Sequence, residues 1–163
     1  LFRSIVWAFD RQPEADVAYG ARDVDTLYAA AKDAKARLVT LTGDTHTAWA
    51  NELHDAKGQK RGVEFGCTGV TSPGAGDSMP FEELNWMMPE ANDEVLYYNA
   101  FAKGFTLLTL KADQVEAEFV KVSTIKSRDY FASTDAKFIA RENEVGGMGG
   151  LQRIMGGAGI TTG

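Results

Sequence analysis

The chain has 163 residues, 44% of them hydrophobic and 25% charged, with a formal net charge of −6. That length suits one domain with a real core, and the acidic balance argues against a nucleic-acid groove or an anionic membrane surface as partner, since both need clustered Lys and Arg. No window approaches the roughly 18 consecutive apolar residues of a membrane helix, and the single Cys67 cannot form an internal disulfide, which leaves a lone buried thiol as the expectation. The chain begins at Leu1 and not Met, so the lack of a leader says little about compartment.

In chain order, Val24, Leu27, Tyr28, Ala31 and Ala34 recur at helical spacing, with Asp23, Asp25, Lys32, Asp33 and Lys35 between them. Asp23 is placed to cap this helix, and Lys35 and Arg37 suit its C-terminal dipole. Leu38–Thr42 follows as a short buried strand. Helix then strand is half of a βαβ unit, which predicts an α/β opening with a partly parallel sheet. In such sheets functional groups gather at the carboxyl ends of strands, where Asp44 and His46 fall.

Residues 62–70 read as another strand opening into a loop, and Thr71-Ser72-Pro73-Gly74-Ala75-Gly76 as a turn. A phosphate cradle at 72–76 would lack the Lys and the spacing of a Walker loop, so a plain turn is the expectation. Residues 81–88, with Phe81, Leu84, Trp86, Met87 and Met88, predict a small core helix stopped by Pro89, a lid or interaction patch being the other reading. Asp93 and Glu94 read as solvated acids at a helix start. Val115, Ala117 and Phe119 alternate with Glu116 and Glu118, and with residues 105–110 they predict a C-terminal β-hairpin. Lys121, Lys126 and Arg128 form a weak basic patch at a solvated strand end. Residues 146–163 are Gly-rich and low in charge, so a domain over 1–145 with a loosely ordered tail over 146–163 is expected.

The chemistry concentrates in Gly43-Asp44-Thr45-His46. A carboxylate and a neutral imidazole two residues apart can share one cation, or one can ligate while the other orients it. Gly43 would permit a sharp turn, and Thr42, Thr45 and Thr47 offer hydroxyls behind the ligands. The pattern alone leaves a second reading open, an Asp capping a turn beside an incidental His.

A longer window narrows the choice. Residues 40–53, TLTGDTHTAWANEL, closely resemble the last metal-site motif of the PhoD-like (alkaline phosphatase D) family, an apolar strand, Gly-Asp-x-His and then Trp-Ala-Asn before an acidic residue and Leu. Residues 64–74, EFGCTGVTSPG, resemble the family's Glu-Phe and Ser-Pro segment, and residues 103–120 its Lys-Gly-aromatic strand and hairpin. Tyr19 and Arg22 match, in part, a Trp-Asp-Gly-Tyr-x-x-x-Arg pattern.

The resemblance implies part of a metallophosphoesterase-type β-sandwich flanked by helices, from a bacterial hydrolase acting on phosphomonoesters or phosphodiesters through iron and calcium. It implies export to the periplasm or beyond, a phosphate ester as substrate, and His46 and Asp44 as catalytic, metal-binding residues. Trp49 and Asn51 would support the turn, while His54 has no counterpart and reads as a surface residue. The family's other ligand motifs are not found in this chain. Asp16-Val17-Ala18 stands where Trp-Asp-Gly is expected, and Asn92-Asp93-Glu94 where Asn-Pro-His is. The chain alone is therefore expected to be an inactive C-terminal fragment whose partner is the missing N-terminal half of the same domain. A non-catalytic binding or structural domain with a degenerate metal site is the alternative.

Overall fold

A computed structural model describes residues 14–34, 36–79, 81–143 and 147–156, with side chains of the first helix from Val24 onward. The elements in order are α1 (Glu14–Asp33), β1 (Leu38–Thr42), β2 (Ala48–His54), β3 (Lys60–Gly66), α2 (Ala75–Ser78), α3 (Leu84–Ala91), β4 (Val95–Asn99), β5 (Gly104–Leu110), β6 (Gln114–Val122), β7 (Ala132–Glu142) and β8 (Met148–Met155). The strands form two four-stranded sheets, ordered β1-β3-β2-β4 and β5-β6-β7-β8. In the first, β1 pairs in parallel with β3, and β2 runs antiparallel to β3 and β4. The second is a plain antiparallel meander.

One core lies between the sheets. Ala48, Ala50, Val63, Phe65 and Tyr97 come from the first sheet, and Val115, Ala117, Phe119, Phe138, Ala140 and Leu151 from the second. Small residues on both inner faces leave room for four rings: Phe119 lies 4.8 Å from Tyr97, 6.1 Å from Phe138 and 6.4 Å from Phe65. Each such buried ring contributes about 1.5–3 kcal/mol by burial alone. The architecture is thus a partial β-sandwich. The expected hairpin is present as β5 and β6, and Val115, Ala117 and Phe119 point inward as their alternation requires.

Polar ties also join the sheets. The Tyr97 hydroxyl (2.5 Å) and Asn99 Nδ2 (2.7 Å) on β4 both donate to Asp135 Oδ2 on β7, and Lys121 Nζ lies 2.6 Å from Asp135 Oδ1. Burial alone would raise the Asp135 carboxyl, but the hydrogen bonds from Lys121, Tyr97 and Asn99 outweigh it and hold the group below the usual range. Burial first, and then the bond to Asp135, push the Tyr97 phenol far above its ordinary value. Glu52 on β2 accepts the Leu151 N–H of β8 at 2.8 Å.

Several expectations need correction. The first helix starts at Glu14, so Asp23 lies inside it and caps nothing; Glu14-Ala15-Asp16-Val17-Ala18 continues the helix-forming composition toward the N-terminus. Arg37 does not serve the helix dipole. It donates to the Ala112 carbonyl and pairs with Glu142 at 3.0 Å, and Lys35 lies outside the described residues. Pro89 does not stop the third helix but sits inside it, where it withholds one i→i−4 hydrogen bond; the chain turns extended at Asn92. That helix has no buried residue, and Trp86 and Met87 are half exposed, so it is not a core helix. Asp93 and Glu94 follow it rather than start one. The tail expected to be loose contains β8, because Met148 and Leu151 fill the end of the core; residues 157–163 lie outside the described residues. Among the described residues no helix is long and apolar enough to cross a membrane.

Candidate functional site

β1 is buried at Thr40 and ends at Thr42, where the chain must reverse to enter β2 at Ala48. The reversal is carried by residues in the left-handed region: φ is 69° at Asp44 and 54° at His46. These are among the few non-glycine types that tolerate it, at a cost of about 1–3 kcal/mol each. Gly43 is not where the turn needs glycine. It has no positive φ, and a Cβ there would meet nothing within 4 Å.

The strain at His46 is held by its neighbours. Its Nδ1 lies 2.6 Å from the Pro73 carbonyl oxygen, which can only accept, so Nδ1 carries a proton and the lone pair of the neutral ring falls at Nε2. The His46 carbonyl accepts from Thr68 Oγ1 at 3.2 Å, and Thr68 also donates to Ala102 at 2.6 Å. Gly74 packs against the same carbonyl so closely that a Cβ would come within 2.6 Å of it. Lys103 Nζ fixes the Pro73 loop by donating to Ser72 O and to Asp77 Oδ2, both at 2.8 Å, and the Gly74 N–H donates to Asp77 Oδ2 at 2.7 Å. The Lys103 ammonium, and next the Gly74 N–H, hold the Asp77 carboxyl below the usual range.

The 72–76 segment is therefore no phosphate cradle, since Asp77 already occupies its Gly74 N–H. It is the brace that orients His46. Sequence reasoning missed Thr68, Pro73, Gly74, Asp77 and Lys103 in this role, although the Ser-Pro-Gly and Lys-Gly segments were visible as motifs. The threonine hydroxyls also differ from expectation. Thr45 and Thr47 bond each other at 2.9 Å and accept from the Trp49 indole at 3.3 and 2.6 Å, while Thr42 donates to Glu64 at 2.8 Å. Trp49 thus supports the turn. Asn51 instead donates to Glu64 Oε2 at 3.0 Å, and its own Oδ1 is buried with no partner among the described residues.

Asp44 is exposed and His46 partly so. Among the described residues no three His, Cys, Asp or Glu side chains converge to hold a metal ion. A groove of about 550 Å³ begins at Thr42, Gly43 and Thr45 but is lined by Glu52, Glu64 and Glu94 rather than by Asp44 or His46. His54 is not a surface residue; it is largely buried between Glu52 (3.8 Å) and Glu94 (3.6 Å). Asn92 and Glu94 line the groove and do not join the turn. Cys67 is a free, part-buried thiol whose N–H donates to Thr42 O. Tyr19 and Arg22 fall within α1, but their side chains lie outside the described residues, as does that of Asp16.

The sequence profile of the PhoD-like phosphatase family matches residues 10–119. Alkaline phosphatase D of Bacillus subtilis (strain 168) is 26% identical over 113 residues, which cover 67% of this chain and 19% of that protein. The chain thus spans about a fifth of the curated relative's length. A solved structure titled "Structure of PhoD" superposes with a TM-score of 0.58 at 25% identity, covering 77% of this chain and 23% of that one. The turn, its brace and the first strand of the hairpin all lie inside the matched region, and the chain belongs to the PhoD-like phosphatase family.

Proposed function

We propose that this chain supplies Asp44 and His46 to the metal centre of a phosphoesterase, with the other ligands coming from sequence outside it. The observation that carries the reading is the braced, left-handed His46. A backbone carbonyl fixes its Nδ1–H, as carbonyls and carboxylates behind metal-bound imidazoles do, and leaves Nε2 as the ligand atom. Asp44 adds an exposed hard oxygen on the same turn. The imidazole nitrogen suits iron and the carboxylate oxygens suit iron or calcium, so the residues present fit part of such a centre. A metal bound there would neutralise phosphoryl charge and acidify a bound water. The protein's own contribution is to hold an imidazole oriented and pre-strained, so that no reorganisation is needed when the ligand set closes. The family further suggests a metallophosphoesterase-type fold, a phosphomonoester or phosphodiester substrate, and a bacterial protein working outside the cytoplasm.

The test is hydrolysis of bis-p-nitrophenyl phosphate, with metal content measured in parallel, by the longest polypeptide carrying these residues. His46→Ala is expected to release metal and lower the rate by more than about 100-fold. Unchanged hydrolysis in that variant would overturn the reading. A second reading, a relative that has lost catalysis, is favoured by Asn92 and Glu94, which face the groove and not the turn. Metal-free, inactive wild-type protein of full length would establish it instead.

A further inference from the structure

The groove behind the turn has a charge that the phosphoesterase reading does not use. Its volume, about 550 Å³, is that of a small-molecule site. Glu64 forms part of its wall, and the carboxylate accepts only from the neutral donors Thr42 Oγ1 (2.8 Å) and Asn51 Nδ2 (3.0 Å). Among the described residues no Lys, Arg or His pairs with it. Glu52 is different, being neutralised by Lys60 Nζ at 2.6 Å. Glu94 is largely exposed and lies 3.6 Å from His54 Nδ1. Among the described residues no basic side chain lines the groove, and there Glu64 and Glu94 lack a close permanent cation.

Tyr28, also on the wall, responds to that field: burial first, then Glu94 and Glu64, raise its hydroxyl above the ordinary value. A phosphate group would be repelled here. A part-buried carboxylate calls for a cation, and the Trp49 and Tyr28 rings with Leu27 and Met88 offer apolar and π surface to its alkyl substituents. We propose that the groove binds an alkylammonium ion, with its charge against Glu64 and its carbon atoms against Trp49 and Tyr28.

Titration of the chain with tetramethylammonium chloride, followed by the Trp49 indole and Gly43 amide resonances, tests this against sodium chloride and the uncharged tert-butanol. The ammonium is expected to shift those resonances saturably and to bind at least about ten-fold more tightly than the alcohol. Glu64→Gln keeps the side-chain shape and should erase that preference. Leu27→Trp fills the groove from α1 with Glu64 intact and should abolish binding, which decides the matter if Glu64→Gln does not fold. Equal binding of ammonium and alcohol, or a preference that survives either folded variant, overturns the proposal. None of these readouts depends on hydrolysis, so they stand apart from the fate of the phosphoesterase reading.

Discussion

Asp44 and His46 sit at φ values of 69° and 54°, a conformation that favours glycine, and the His46 side chain is held there by the Pro73 carbonyl. Asp44 is exposed, so its replacement by glycine loses few contacts while relieving the backbone. Asp44→Gly is expected to leave urea stability unchanged or raise it by up to about 1 kcal/mol while removing the proposed metal function. A clear loss of stability would mean that the carboxylate is structural. The Gly-Asp-x-His string was legible because it is short and contiguous. The brace was not, because Pro73 and Lys103 reach His46 from loops that no local period connects to it. Where the turn needed its special residue was also misplaced, since Gly43 invites that reading and the dihedral angles assign it elsewhere.

Among the elements, β4 and β7 are tied by one carboxylate, and this gives the sandwich an acid limit. The Asp135 pKa is depressed in the folded chain, so its stabilisation is present above the unfolded value of about 3.9 and is lost as pH falls through the folded value. The urea midpoint should therefore drop below about pH 4, and Asp135→Asn should flatten part of that fall. Asp135→Ala leaves the Tyr97 hydroxyl and Asn99 amide without their acceptor and should cost about 2–4 kcal/mol by equilibrium unfolding. Gly104 shows a different constraint: a Cβ there would lie 1.9 Å from Val120 O, so Gly104→Ala should part β5 from β6 and lower the melting temperature sharply. The hairpin containing it was legible from strict alternation. β4, β7 and β8 were not: β4 pairs with β2, which is distant in sequence, and glycines in β8 suggested a loose tail.

For the molecule as a whole, both sheets share one core, so they should unfold together. Phe138 is fully buried and touches Tyr97 across the sheets and Phe119 beside it. Phe138→Ala is expected to cost about 3–5 kcal/mol and to shift the fluorescence and far-UV transitions equally. Separate transitions would show two independent halves. The α/β opening was read correctly from helix followed by strand, but the second sheet makes the whole mostly β. The parallel β1–β3 pairing has a consequence in time. β2 and β3 meet through the short turn around Gly58, whereas β1 must span β2 before it finds β3. Loop closure therefore favours the antiparallel pair first and seats β1 on a surface already made. The turn carrying Asp44 and His46 joins β1 to β2, so it acquires its strained shape only at that last step. A folding intermediate of this chain would look nearly native by its strands while its imidazole still moved freely.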